Sequence, residues 1–174
     1  MTRNIIVTSF AFLTFILSSF SSNAQEEKPL NEREKMLLEM EKTWVAPYEL
    51  EIDKSIFNKK IMNTYTSSKY EQAAFMVIVF GESSYEEQKA KFAKKEPKEG
   101  ETVISKKVEM LNGRETLIYK CKQTEDDLTF IFHIFTCKGD DNTVIMSSGS
   151  CKPEDESALE KTFEAAASSV KLKK

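Results

Sequence analysis

The chain contains very little histidine, and this scarcity excludes much catalytic chemistry. His133 is the only imidazole among 174 residues, so no site that needs two histidines can form, which removes most zinc sites. The sequence also lacks a glycine-rich phosphate loop, a Cys-x-x-Cys pair, a Gly-x-Ser-x-Gly turn and an N-glycosylation sequon. These absences favour a protein that works by surface contact, with no cofactor and no bound metal.

Basic residues are not in excess, and residues that break regular structure are few. The 25 Lys and Arg side chains face 28 Asp and Glu side chains, for a net charge of −3. Nucleic-acid binding needs a basic excess on one face of a protein, so we expect no nucleic-acid partner. With only 5 glycines and 4 prolines, the chain favours a compact, regular fold over disorder.

Residues 1–24 have the pattern of a signal peptide. Arg3 forms a short positive n-region, residues 5–20 are apolar except for Ser and Thr, and Ser22-Asn23-Ala24 is a small-x-small cleavage pattern. We therefore predict cleavage before Gln25, export to the periplasm or extracellular space, and no stable membrane span after cleavage. An uncleaved anchor is the alternative, but the apolar stretch is short for a span of about 20 residues.

Residues 25–47 predict a polar linker followed by a helix. Leu37, Met40 and Trp44 recur on one face of that helix. Residues 48–174 then have enough length for a single α/β domain with its own core.

The central part of that domain predicts an antiparallel sheet. Residues 73–80 and 130–135 are apolar at successive positions, which is typical of strands covered on both faces. A strand at 102–110 leads into Asn112-Gly113, the strongest hairpin signal in the chain. Three strands would continue this hairpin as a meander, at residues 116–123, 128–137 and 143–151.

Two helices are predicted within this domain. Ser84 and Glu87 form a capping box, which predicts a helix over residues 85–95. A closing helix would run from Pro153 to the C-terminal lysines. Its predicted buried stripe contains Leu159, Phe163, Ala166 and Val170.

These elements predict an α/β (α+β) fold, with a largely antiparallel sheet and helices on both faces in a three-layer sandwich. An up-and-down barrel is the alternative, but its strands would alternate polar and apolar residues. Residues 48–52 alternate as a strand would. Residues 55–70 are ambiguous between a short helix and an irregular hairpin.

The order of the C-terminal elements is similar to that of a known superfamily. The relevant pieces are Asn112-Gly113-Arg114, Leu117–Cys121, Leu128–Phe135, Thr143–Ser148, Lys152-Pro153 and Ser168-Ser169-Val170-Lys171. This order resembles the PsbP-like fold, shared by a lumenal extrinsic subunit of photosystem II and exported bacterial proteins similar to DcrB. The resemblance covers residues 48–171. It implies an accessory or binding role, because such proteins mostly lack a catalytic constellation, and it transfers no functional residue.

The three cysteines lie in the meander. In the predicted register, Cys121 and Cys151 are both level with Phe130, one on each side of its strand. Two strand spacings of about 9.6 Å in total separate them, beyond the limit of about 7 Å for a disulfide. We expect either three small buried hydrophobes or, with a different register, a single Cys137–Cys151 bond.

His133 and Ser148 are the only candidate catalytic pair. The predicted register sets them opposite each other, on the face away from Cys121 and Cys151, so a Ser–His dyad is conceivable. A nucleophile normally lies on a sharp exposed turn, however, which favours a structural histidine.

The sequence therefore predicts an exported, non-enzymatic accessory or binding protein whose partner is another envelope or extracellular protein. A small secreted hydrolase using His133 and Ser148 is the alternative, and a redox role for an unpaired thiol is a third hypothesis.

Overall fold

The computed structural model describes residues 46–80, 84–125, 128–139 and 143–173. All of them belong to one compact unit of the chain, Met40–Lys174. The predicted signal peptide and the predicted helix with Leu37, Met40 and Trp44 lie outside the described residues. Within these ranges, every helix is too short or too polar to cross a membrane.

Seven strands form the main sheet. They are β2 (Lys59–Ile61), β3 (Thr64–Thr66), β4 (Ala74–Phe80), β5 (Glu101–Leu111), β6 (Arg114–Glu125), β7 (Leu128–Lys138) and β8 (Val144–Cys151). Their order is β2-β3-β4-β8-β7-β6-β5, and every neighbouring pair is antiparallel. The predicted meander is confirmed, because β5 to β8 are consecutive in the chain and adjacent in the sheet.

The hairpin between β5 and β6 turns at the residues predicted for it. Asn112 has φ 49° and Gly113 has φ 77°, the two left-handed conformations of a type I′ turn. Leu111 and Arg114 are the flanking pair. The ambiguous residues 55–70 contain the β2–β3 hairpin, which is the second of the two expected alternatives.

Helix α1 (Tyr85–Ala93) begins as the capping box predicts, since Ser84 accepts a hydrogen bond from the Glu87 amide at 3.2 Å. It ends two residues before the predicted end at 95. The Lys95 amide donates to the Phe92 carbonyl at 3.1 Å, outside the helical pattern, and Pro97 has no amide hydrogen to donate to the Ala93 carbonyl. Nζ of Lys106 donates to that free carbonyl at 3.0 Å and to the Lys95 carbonyl at 3.2 Å.

Helix α2 (Glu156–Ser169) follows a 3₁₀ turn at Pro153–Asp155, and the prediction that it continues into the lysines was wrong. The Ser168 hydroxyl donates back to the Ala165 carbonyl at 2.8 Å, while the Ser168 carbonyl accepts from Arg114 at 3.0 Å. These side chains replace the next helical hydrogen bonds.

The residues after α2 form β9 (Lys171–Leu172), which pairs with β1 (Tyr48–Glu49) in a separate two-stranded sheet. The strand predicted at residues 48–52 is therefore much shorter than expected. The Ser169 hydroxyl donates to the Glu51 carbonyl at 3.0 Å, so this carbonyl is bound by a side chain instead of by a neighbouring strand.

The helices lie on opposite faces of the main sheet, which confirms the predicted three layers. The face under α2, here called the α2 face, carries Phe75, Val77, Ile131 and Phe135 in contact with the buried stripe of that helix. The other face, here called the α1 face, carries Leu117 and Val144, which pack against Tyr85. The four predicted stripe residues of α2 are all buried.

Candidate functional site

His133 and Ser148, the candidates for a Ser–His dyad, lie on opposite faces of the sheet. His133 pairs with Gly149, and Ser148 pairs with Ile134. The expected register was wrong by one residue because the Gly139 amide donates to the Thr143 carbonyl at 2.9 Å, which makes Lys138 and Val144 the flanking pair. A shift of one residue turns every side chain to the other face, so His133 and Ser148 form no dyad.

His133 lies beneath the N-terminal half of α2, with 3% of its surface exposed. Its ring centroid is 5.4 Å from that of Phe163, and its Nε2 is 3.9 Å from Oε1 of Glu156. Lys120, opposite His133 on β6, forms ion pairs with Glu156 and with Glu160, the latter at 2.9 Å. The histidine is therefore enclosed by an aromatic ring and an ion-pair network.

This environment keeps His133 neutral. Burial lowers its pKa to about 4, the positive charge of Lys120 acts in the same direction, and the Glu160 and Glu156 carboxylates oppose both. A general base works best with a pKa near the operating pH. His133 is thus a buried neutral side chain that supports α2, and its chemistry does not favour proton transfer.

The three cysteines are free, buried thiols. Cys121 pairs with Phe132 and Cys151 with Ile131, so the expectation that both are level with Phe130 was wrong by two residues for Cys121 and by one residue for Cys151. The actual register places Cys121 on the α1 face and Cys151 on the α2 face, the face that also carries His133.

Burial sets the reactivity of these thiols. It raises the pKa of Cys121 and of Cys151 to about 12, with a further rise from the carboxylates of Glu101 and Glu156 respectively. Burial also raises the pKa of Cys137. Since the thiolate is the reactive form, these surroundings disfavour a redox or nucleophilic role.

A partly buried ionic cluster on the α1 face was missed by sequence reasoning. Nζ of Lys95 lies 3.2 Å from the centroid of the Tyr119 ring and 3.6 Å from Oε1 of Glu101. The Glu101 carboxylate also accepts the Lys98 amide at 2.9 Å. Tyr119 and Cys121 are two residues apart on β6 and so share this face, but nothing local in the sequence links them to Lys95.

The charges of this cluster are mutually stabilised. Burial alone would raise the pKa of Glu101, but hydrogen bonds from the Lys98 amide and from Cys121, together with the charge of Lys95, outweigh burial and lower it. Burial lowers the pKa of Lys95, and Glu101 opposes that change. The Lys95–Glu101 pair, together with the contact of Lys95 with Tyr119, holds the segment between α1 and β5 against the sheet. This role is structural.

The outer edge of β5 is exposed and partly apolar. This strand of 11 residues is the last in the described sheet, with β6 as its neighbour on one side. Val108 and Met110 are 44% and 65% exposed and pair with Leu117 and Glu115, which places both side chains on the α1 face. Natural edges are usually protected by charges or bulges, so exposed apolar residues here are unusual.

The bulge that protects this edge lies in its first half. A bulge interrupts pairing between Val103 and Ser105, and Lys106 is held by carbonyl groups at the end of α1. Beyond it the strand pairs regularly with β6 as far as Leu111. We call residues 106–111 the β5 edge.

The turn type indicates which main-chain groups of the β5 edge point outward. Leu111 and Arg114 flank a two-residue type I′ turn and form a hydrogen-bonded pair. Hydrogen-bonded and non-hydrogen-bonded pairs alternate along an antiparallel ladder. The amide and carbonyl groups of Lys106, Val108 and Met110 are therefore directed away from β6, where they are able to bind another strand.

Solved structures share this fold at very low sequence identity. LpqN, which is involved in cell envelope biogenesis in Mycobacterium tuberculosis, matches with a TM-score of 0.53 and 9% identity over 73% of this chain and 83% of its own. A Bacteroides thetaiotaomicron protein matches at 0.51 and 9% over 74% of this chain and 46% of its own. Cyanobacterial PsbP from Synechocystis matches at 0.47 and 10% over 73% of this chain and 82% of its own.

The matches to LpqN and to the Bacteroides thetaiotaomicron protein show similarity of fold alone. No protein-family model matches the chain. No curated protein matches it either.

Proposed function

We propose that this chain is an exported, envelope-associated accessory protein that acts without catalysis, by binding another protein along the β5 edge. The observation that carries the proposal is the open edge itself, where Val108 and Met110 are exposed beside outward-facing main-chain groups. Strand addition at such an edge obtains affinity from main-chain hydrogen bonds and specificity from alternate side chains.

The surroundings of the reactive side chains support the non-catalytic part of this proposal. His133 is buried and neutral, Ser148 lies on the opposite face, and burial keeps the thiols protonated. The signal-peptide pattern of residues 1–24 supports export. LpqN, with the same fold, is described as involved in cell envelope biogenesis, which is compatible with an envelope location.

The test is a proline at the centre of the β5 edge. Val108→Pro removes an outward-facing amide and leaves the ladder to β6 intact, because proline is tolerated where the missing N–H faces solvent. Val108→Thr is the matched control, since it keeps the amide and the β-branched shape. Each protein is immobilised and exposed to envelope extract from cells that produce the native chain, so that a second copy and any other envelope protein are both available to bind.

We expect the wild-type protein and Val108→Thr to retain the same envelope protein, and Val108→Pro to lose it while keeping its circular dichroism spectrum. If Val108→Pro unfolds, Met110→Pro tests the same edge through the next outward amide. Retention of the same protein by a folded proline variant would contradict the proposal.

A further inference from the structure

We infer that the strand that docks on the β5 edge is β5 of a second copy of this chain, in a symmetric antiparallel pair centred on Val108. This inference rests on the proposed function, because it names the partner of the same edge. It is carried by the order of charged and apolar residues along the edge, which is self-complementary in one register.

Charge complementarity selects that register. Lys107 and Glu109 share the α2 face of β5, where their side chains form an ion pair at 2.8 Å and are 49% and 43% exposed. With Val108 opposite its own copy, Lys107 lies opposite Glu109 of the partner subunit, and the partner's Lys107 lies opposite Glu109. The four charges then alternate in sign, which is the favourable arrangement for cross-strand pairs.

Neighbouring symmetric registers are unfavourable. Centring the pair on Lys107 would place it opposite the partner's Lys107, and centring it on Glu109 would place it opposite Glu109 of the partner subunit. Like charges directly opposite each other on neighbouring strands are destabilising. A centre on Lys106 would likewise oppose two lysines. A centre on Met110 would bring Val108 and Lys107 level with the partner's turn, so it would form no cross-strand charge pair and fewer main-chain hydrogen bonds.

The main-chain geometry fits the same register. The outward-facing groups are those of Lys106, Val108 and Met110, so Val108 with its copy and Lys106 with Met110 of the partner subunit become hydrogen-bonded pairs. The three pairs together would exchange about six main-chain hydrogen bonds. Lys107 then falls at a non-hydrogen-bonded pair, where opposite side chains approach most closely.

The α1 face of the pair would be apolar at its centre. Val108 would contact the partner's Val108, and Met110 would cover the aliphatic stem of the partner's Lys106, whose charged end is held at the α1 terminus. Most of the exposed surface of Val108 and Met110 would leave water. In this register the bulge between Val103 and Ser105 lies level with the turn of the partner's hairpin, after the last of the three hydrogen-bonded pairs, so it does not interrupt them.

Reciprocal charge reversal tests this arrangement by sedimentation velocity at several protein concentrations. We expect a wild-type dimer, and dissociation constants about tenfold or more higher for Lys107→Glu and for Glu109→Lys, because each variant faces its own copy with two like-charge pairs. A mixture of the two variants should restore the dimer, since every opposed pair is then of opposite sign. Lys161→Glu and Glu164→Lys, on the exposed side of α2, control for the change in net charge.

The outcomes separate this inference from the proposed function. A monomeric wild-type protein at the highest concentration would overturn the inference, as would a dimer unaffected by the charge reversals or a mixture that stays monomeric. If an envelope protein is nevertheless retained in a manner that Val108→Pro abolishes, the proposed function stands and only the identity of the partner is wrong. Loss of both results would overturn both.

Discussion

Replacement of Gly149 by alanine should destabilise the domain, because the Phe163 ring occupies the space that a side chain at position 149 would need. An added Cβ would lie 2.3 Å from Cγ and 2.4 Å from Cδ1 of that ring. Ordinary carbon–carbon contacts are about 3.5–4.0 Å, so the ring must move by more than about 1 Å to accept the methyl group.

The surroundings of Phe163 prevent an easy movement. The side chain is fully buried, and its ring centroid is 5.8 Å from that of Phe57 and 6.2 Å from that of Phe75. Overpacking costs about 1–3 kcal/mol, and losing the whole packing of a phenylalanine costs about 3–5 kcal/mol. We therefore expect Gly149→Ala to lower the free energy of unfolding by about 2–4 kcal/mol.

Urea unfolding monitored by circular dichroism measures this loss, and a double-mutant cycle assigns its cause. In a Phe163→Ala background, where Cγ and the ring are absent, the methyl group has room, so Gly149→Ala should lower the free energy of unfolding by less than about 1 kcal/mol there. Gly113→Ala is the backbone control, since nothing lies within 4 Å of its added Cβ although φ is +77°, and it should cost about 1 kcal/mol. A Gly149→Ala protein as stable as the wild type would refute this reasoning.

Three further predictions concern His133, the thiols and the N-terminus. Because burial, aided by Lys120, lowers the pKa of His133 to about 4, the unfolded chain takes up a proton first as the pH falls. The stability from the neutral side chain is complete above about pH 6.5 and is lost towards about pH 4. His133→Asn should lower the free energy of unfolding by about 1–3 kcal/mol at pH 7. It should also remove the part of the pH dependence of that free energy, measured by urea unfolding, that His133 causes. The same dependence on pH in wild type and variant would contradict a neutral, buried His133. The native protein should react slowly with a thiol reagent, and the denatured protein should react at all 3 thiols. A disulfide-linked Cys121–Cys151 peptide in a non-reducing peptide map would show the sheet register to be wrong. Mass spectrometry of the exported protein should find a chain beginning at Gln25, and a product that retains Met1 would contradict cleavage.

The sequence by itself determined the element types and most of their order, because those depend on local patterns. Ser84 with Glu87 and Asn112 with Gly113 specify a helix start and a turn through contacts between residues close in the chain. The doubly apolar segment at 130–135 likewise predicted an inner strand, and all six of its residues are buried. Such signals do not require knowledge of distant partners.

Only the tertiary structure decided which residues face each other. The Gly139–Thr143 hydrogen bond shifted the β7–β8 register by one residue and separated His133 from Ser148, because side-chain direction in a strand reverses at every position. The cluster of Lys95 with Glu101 and Tyr119 depends on packing between a helix end and two strands. The open edge of β5 depends on strand order in the whole sheet, which no local pattern encodes, because it is set by the competition among all strands for neighbours.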